Sequence, residues 1–491
     1  MLTLMIAIFV LGYIAIALEH PFKIDKAASA LITGVLVWTL FVLSGADQHF
    51  IEEELLHHLS EISSILFFLL GAMTIVELVD AHEGFAIITD KIKTTNKVKL
   101  LWIISILTFF FSAALDNLTT SIVMISLLRK LIEDKHDRWF FAGIVVVAAN
   151  AGGAWSPIGD VTTTMLWIGG QLSTMTIVKT LFIPSLVAML VPLIVLTFTM
   201  KGEVARPKKM EGLEHYTNPT TAFERNLIFF LGVAGLLFVP VFKTLTHLPP
   251  FMGMMLSLGV LWSVTEVIHR SKNKEDKSQL SVIGVLRKVD TASVLFFLGI
   301  LLAVAGLQSA GHLAIMAGSL NEWFGGNVYA INVVIGLLSA IVDNVPLVAG
   351  SMGMYPIMPD VISLLNPDTL AFLQEISFES LASTTFDTNI FSENLVARLK
   401  DLDREQFELL YTINQNDLSS QINFTKDGIF WQFLAFCAGT GGSALIIGSA
   451  AGVAVMGLEK IDFVWYLKKI SILALIGYFA GAGTYILMQS L

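Results

Sequence analysis

Asp116 and Asn117 sit in the middle of "FFFSAALDNLTTSIVM" (109–124), and Asp343 and Asn344 in the middle of "GLLSAIVDNVPLVAG" (336–350). Both stretches are otherwise almost wholly apolar. A carboxylate taken out of water there is costly unless something pairs with it. A third, Asp160, lies in "VVVAANAGGAWSPIGDVTTTMLWIGG" (145–170), with Asn150, Ser156, Thr162, Thr163 and Thr164 around it. Removal from water favours the protonated carboxyl, and a bound cation favours the ionised one. Such a group holds a proton or a cation, not both, and that exclusive occupancy is the physical core of cation/proton exchange. Asn117, Asn150 and Asn344 supply neutral carbonyl oxygens. "FCAGTGGSALIIGSAAGVAVMG" (436–457) adds Thr440, Ser443 and Ser449 among glycines. Glycine permits an unwound backbone and Pro157 removes a donor, so freed main-chain carbonyls join a hard-oxygen set suited to Na+ at Asp116, Asp160 and Asp343. Two plainer uses compete. Aspartate is a good helix N-cap, and small residues let helices approach closely. Capping is compatible with ion binding, whereas packing does not account for a buried carboxylate such as Asp160.

The elements that must hold these residues are membrane helices. Of 491 residues 55% are hydrophobic and 14% charged, where soluble chains carry about a quarter charged, and the mean hydropathy is +0.74. Apolar runs fall at about 2–18, 27–43, 62–79, 100–128, 139–170, 176–200, 226–243, 251–268, 291–308, 327–356, 428–458 and 465–489. Several reach the ~20 residues that cross a bilayer. The first run lacks a basic flank and a cleavage site, so it reads as a span and not a removable leader. The single cysteine, Cys437, excludes an intramolecular disulfide and a cysteine metal cluster. Dinucleotide, P-loop and HExxH fingerprints are absent, so the reading is of a non-enzymatic protein without cofactor or nucleic-acid partner.

Loop charge sets the sidedness. Lys91, Lys93, Lys97 and Lys99 precede the run 100–128, and Arg129, Lys130, Lys135 and Arg138 follow it. Basic loops at both ends predict a re-entrant hairpin with its tip at Asp116-Asn117. Segments 201–225 (Lys201, Arg206, Lys208, Lys209, Arg225) and 269–290 are also basic and internal. The stretch 44–61, with Asp47, Glu52, Glu53, Glu54 and Glu61, is external, as is the acidic segment 357–427. The Asp343 hairpin then enters from outside, and both termini are external. Glu77 lies within a span and either serves a proton path or snorkels, with Asp80 at that span's cytoplasmic end. Glu19 and Glu266 read as solvated helix-end residues, and His82 and His312 as solvated interfacial histidines, with a pH-sensing role as the alternative.

Three ordered matches relate the two halves. "LFFLLGAMTIVEL" from Leu66 resembles "LFFLGILLAVAGL" from Leu295, "SAALDN" from Ser112 matches "SAIVDN" from Ser339, and "AGGAWSPIGDVTTTM" from Ala151 aligns without gaps on "TGGSALIIGSAAGVA" from Thr440. The expected fold is an all-α polytopic membrane protein of two inverted-topology repeats. Each has about five transmembrane spans, one re-entrant hairpin and one interrupted helix, the architecture of secondary transporters. The segments are a first repeat (1–200), a cytoplasmic linker (201–225), the first part of a second repeat (226–356), an acidic extramembrane insertion (357–427) and the last part of that repeat (428–491).

The motifs "SAALDNLTTSIVM", "NAGGAWSPIGDVTTTMLWIGGQ", "DNVPLVAGSMGMY" and "FCAGTGGSALIIGSAAGVAVMG" together resemble the NhaD-type sodium/proton antiporters of the ion transporter superfamily, across nearly the whole chain. That resemblance implies exchange of Na+, and of Li+, for H+ in a prokaryotic inner membrane, by a homodimer whose transport part moves like an elevator. The family's ion-site positions fall on Asp116, Asn117, Asn150, Asp160, Asp343 and Asn344, with Thr440, Ser443 and Ser449 as weaker matches. The insertion departs from the pattern. Around "SENLVARLKDLDREQFELLYTI" it carries an amphipathic stretch with Leu395, Leu399, Leu402 and Leu410 roughly on one face, and it is a partner site, a cap over the pathway, or inert. A sodium-coupled dicarboxylate symporter is the competing transporter reading, weakened because two acidic tips repel an anion. An intramembrane aspartyl protease also needs two membrane aspartates, but it needs no repeat, and GxGD is absent around Asp343.

Overall fold

The computed structural model describes residues 2–17, 23–89, 91–207, 220–341, 343–378, 393–413 and 417–490. Glu19, Lys208 and Lys209 fall outside them. The described chain is helical throughout, with two isolated bridges in connecting segments. Three helices open it: α1 (Leu2–Ala17), α2 (Lys26–Leu43) and α3 (Gln48–Ala81). The stretch 44–61 was expected as an external loop, yet most of it forms the first turns of α3. With 34 residues that helix is about 50 Å long and overshoots a ~30 Å hydrocarbon core, so its acidic turns project beyond the apolar layer.

Then come α4 (Lys97–Leu115), α5 (Asn117–Leu131), α6 (Lys135–Ala154), α7 (Val161–Ile168) and α8 (Thr174–Thr199). The second half runs α9 (Ala222–Thr246), α10 (Pro250–Ile268), α11 (Thr291–Ser309), α12 (His312–Phe324), α13 (Val328–Leu338), α14 (Asn344–Met354), α15 (Ile429–Gly441), α16 (Ala450–Glu459) and α17 (Ser471–Ser490). By length and composition, eight helices among the described residues can cross a membrane. The short α12 was not anticipated. Its Ile315, Met316 and Trp323 are exposed, which suits a lipid interface.

Each long apolar run that carries a polar centre is broken there. Asp116 separates α4 from α5 with φ +78°, a backbone state that costs a non-glycine residue about 1–3 kcal/mol and that is held by two hydrogen bonds from Thr119. The segment 155–160, with Pro157, separates α6 from α7, and 442–449 separates α15 from α16.

Contacts at the helix ends show how the broken runs fold back. The start of α4 meets the start of α6 through Lys97–Asp137 at 2.7 Å. The end of α5 meets the start of α6 and the end of α16 where Arg129 and Arg138 both bind Glu459 at 2.6 Å. The chain after α8 joins them, with Lys97 N–H on the Gly202 carbonyl and Glu133 N–H on that of Ala205. So α4 and α5 begin and end on one side, the side of the basic loops. At the other side, Asp427 N–H donates to the Gln171 carbonyl beyond α7 at 2.8 Å, and Met358 N–H beyond α14 donates to the Phe424 carbonyl at 3.0 Å. Asn332 Nδ2 near the start of α13 donates to the Phe430 carbonyl at the start of α15, at 3.1 Å. Hence α13 and α14 begin and end on the second side, and α6–α7 and α15–α16 run in opposite senses.

Around this group α8 and α17 pack along their lengths. A second group holds α1, α2, α3, α9, α10 and α11. There Trp38 Nε1 donates to the Leu302 carbonyl and ties α2 to α11.

The insertion differs from one amphipathic helix. It forms Glu393–Lys400 and Arg404–Tyr411, divided where Asp403 makes a capping box with Gln406. Leu395, Leu399, Phe407 and Leu410 are buried, so its apolar face packs within the segment. Residues 379–392 and 414–416 of it lie outside the described ones.

Candidate functional site

The breaks in α4–α5, α6–α7 and α15–α16 meet, and the backbone contacts that bring them together come in pairs. Ser112 Oγ donates to the Ala149 carbonyl at 2.6 Å, and Ser339 Oγ donates to that of Ala438 at 3.2 Å. Gly152 approaches so closely that an added Cβ would lie 2.2 Å from the Phe109 carbonyl oxygen, and Gly441 so closely that its Cβ would lie 2.0 Å from that of Gly336. These pairs match the alignment of Ser112 on Ser339 and of Ala151 on Thr440, residue for residue. The glycines are needed here because backbone meets backbone.

At the junction Asn117, Asn150, Asp160, Ser443 and Ser449 are buried together. Asn117 Nδ2 donates to Asp160 Oδ2 at 2.7 Å and to Asn150 Oδ1 at 3.1 Å. Asn150 Nδ2 donates to Ser443 Oγ at 3.0 Å and to Ser449 Oγ at 2.9 Å. Asp160 Oδ1 accepts from the amide and the hydroxyl of Thr162 at 2.9 and 2.8 Å. Five side chains from both halves of the sequence thus form one network around a buried carboxylate whose partners are neutral. The Ser443 carbonyl accepts from Tyr466 Oη at 2.9 Å, which braces the α15–α16 break.

The other expected residues divide. Asp116 and Asp343 are the N-caps of α5 and α14, accepting from Thr119 N and Val345 N, so the capping use is realised at both. Both lie within electrostatic reach of Asp160. Asp343 has a cationic partner, Lys26 Nζ at 3.8 Å, which sequence reasoning missed because nothing local links 26 to 343. Asn344 is buried, and its Nδ2 finds no partner among the described residues. Thr440 is adjacent, but its hydroxyl is turned to its own helix, donating to the Phe436 carbonyl. Glu77 is half-buried and stands apart from the network, near Asp80 and Lys288 at the basic side.

One expectation is corrected. His82 is not a solvated interfacial histidine. It is buried and stacked on His269, with ring centroids 5.0 Å apart. Its Nδ1 lies 2.7 Å from the Leu78 carbonyl and therefore carries the hydrogen, which leaves Nε2 as acceptor toward His269 Nε2 at 3.3 Å. Burial pushes the His82 pKa down to about 4 and lowers that of His269. His82 lies three residues past the apolar run 62–79, beside a loop, where no periodicity signals such a stack.

Comparisons with known proteins identify the relatives of the chain. A family model described as CitMHS, citrate transporter, matches residues 13–373. Over 489 residues the chain is 42% identical to sodium/proton antiporter 1 of Arabidopsis thaliana, covering 99% of this chain and 72% of the relative. It is 40% identical to sodium/proton antiporter 2 of the same plant, over 99% of both chains. The Na(+)/H(+) antiporter NhaD of Alkalimonas amylolytica is 28% identical over 99% of this chain and 90% of its own. The chain belongs to the citrate transporter family, in the group of its NhaD-type antiporter relatives.

Proposed function

We propose that the protein exchanges Na+, and also Li+, for H+ across a membrane, with the cation and the proton competing for buried aspartates. The observation that carries this reading is Asp160, a buried carboxylate surrounded by neutral amide and hydroxyl groups from both halves. The groups in hydrogen-bond contact with Asp160 are neutral amides and hydroxyls, whose oxygens are hard ligands of the kind a small cation such as Na+ takes. Na+ drawn to Asp160 Oδ2 and Asn150 Oδ1 displaces the Asn117 amide hydrogens between them. Protonation of Asp160 removes the charge that holds the ion, so release and protonation become one event. Asp116 and Asp343, at the tips of α4–α5 and α13–α14, extend the site on either side. The N-termini of α5, α7, α14 and α16 converge there and their dipoles offset the carboxylate charge.

The wider reading is of two inverted-topology repeats with re-entrant hairpins. The opposed senses of α6–α7 and α15–α16 and the paired serine and glycine contacts support it. The group containing α4–α8 and α13–α17 is then the part that moves, elevator-fashion, against α1–α3 and α9–α11. We place the protein as a homodimer in a prokaryotic plasma membrane with both termini outside. The citrate transporter description favours a second reading, sodium-coupled uptake of a carboxylate anion, which the acidic tips oppose. Purified protein in proteoliposomes with a pH dye separates the two. Exchange predicts dequenching on addition of Na+ or Li+ without any anion. Proton flux absent with every cation, together with Na+-dependent citrate uptake, would overturn the proposal.

A further inference from the structure

Asp343 differs from the other two site aspartates in its surroundings. Lys26, the first residue of α2, places Nζ 3.8 Å from Asp343 Oδ2, with the two side chains only 19% and 13% exposed. The lysine is held there from below: Nζ stands 4.5 Å from the centroid of the Phe296 ring on α11, a cation–π arrangement that steadies the ammonium without neutralising it. The Tyr13 hydroxyl of α1 lies within electrostatic reach of Asp343, is buried, and has no hydrogen-bond partner among the described residues. The charges therefore meet where α1, α2 and α11 face the tip of α13–α14. This contact joins the two groups of helices, and nothing in the cation/proton competition at Asp160 uses it.

We propose that Lys26 is the built-in counter-cation of Asp343 and sets the protein's sodium affinity by competing with the carried ion for that carboxylate. The inference rests on the reading of Asp343 as part of the cation site. An ammonium and Na+ are alternative partners for one carboxylate. Na+ bound at Asp343 must push the Lys26 ammonium aside, and the work of separating that pair is subtracted from the binding of the ion. Lysine suits the position: its charge sits at the end of a flexible stem and is easily swung away, whereas a guanidinium forks onto both oxygens and is harder to displace. The pair also bridges the two helix groups. Loading of the site therefore loosens a tie between the moving and the static parts, and an unloaded Asp343 stays tethered.

The test measures 22Na+ binding to the purified protein and half-saturating Na+ for exchange in proteoliposomes. In Lys26→Gln the Na+ dissociation constant and the half-saturating Na+ concentration should both fall by at least about threefold, the scale of a partly exposed ion pair. Lys26→Arg should leave them near wild type or raise them. In a D343N background, K26Q should bind Na+ no more tightly than D343N alone. A folded K26Q with unchanged or raised half-saturating Na+ overturns the proposal. Lys26→Met, which keeps the stem over Phe296, gives the same readout if K26Q is not recovered folded, and an unshifted K26M overturns it equally. Wild-type exchange and Na+ affinity in D343N alone would instead remove Asp343 from the cation site, a failure of the underlying reading and not of the lysine's part in it.

Discussion

A buried carboxylate in a membrane protein is informative because its cost demands a use, and the three aspartates that stand out in the sequence have three different surroundings. Asp160 accepts only from neutral donors, Asp116 caps α5 in a left-handed backbone state, and Asp343 is paired with Lys26. Capping and ion binding are separable at the two tips. Asparagine caps about as well as aspartate, so D116N and D343N should be nearly silent if capping is the whole role. The account predicts loss of exchange in both with folding kept, because asparagine preserves the cap and both side chains are only half-buried; wild-type rates in both would leave Asp160 alone as the carboxylate of the site. The histidine stack makes a second prediction. In the unfolded chain His82 titrates near its ordinary value of 6.5, while burial holds the folded side chain at about 4. Between those values the unfolded state takes up the extra proton, so stability is full above pH 6.5 and falls as pH drops toward 4, by up to about 3 kcal/mol. Thermal melting of detergent-solubilised protein across pH 4–7 reads this; His82→Phe should flatten the profile, and an unchanged slope would remove His82 as its source. The oxygen-rich motifs were legible because polar residues in apolar runs are conspicuous. Lys26 and His269 were not, since each lies beside a loop where a basic residue is ordinary and only the tertiary fold supplies its partner.

Among the elements, the broken helices are what the residue patterns specify most strongly. Asp116, Pro157 and the glycines near 441 all mark positions where a continuous helix is costly, and the structure interrupts the chain at each. What the pattern could not give is where a helix continues into water: α3 runs through an acidic stretch that reads as loop, because Glu and Gln are good helix formers whatever surrounds them. The insertion shows the reverse, a leucine periodicity cut by the capping signal at Asp403. The close approaches at Gly152 and Gly441 give the element-scale prediction. A methyl group at either position would collide with a backbone oxygen of the neighbouring hairpin. Gly152→Ala and Gly441→Ala should each cost about 1–3 kcal/mol by forcing α4 from α6 or α13 from α15, seen as a lowered melting temperature and reduced exchange. Unaltered stability in both would mean that the two hairpins do not lie against the interrupted helices as described.

At the scale of the whole molecule, charge distribution and connectivity point the same way. The basic loops gather at one end of the bundle, where Lys97, Arg129, Arg138 and Glu459 are linked, and the acidic insertion is seated at the other through Asp427 and Phe424. In a chain with Cys437 replaced, a cysteine at Ser419 should react with an impermeant thiol reagent on intact cells and one at Lys201 only after lysis. The opposite pattern would invert the orientation. The central claim is that cation and proton exclude one another at one buried carboxylate, and its most direct test is the release of protons on sodium binding. Na+ is titrated into the purified wild-type protein in weak buffer near neutral pH, with the pH followed by a dye. The account predicts acidification that saturates with Na+ and is abolished in Asp160→Asn, while choline, which is too large for the site, releases nothing. Sodium binding without proton release, or full release retained in D160N, would contradict it.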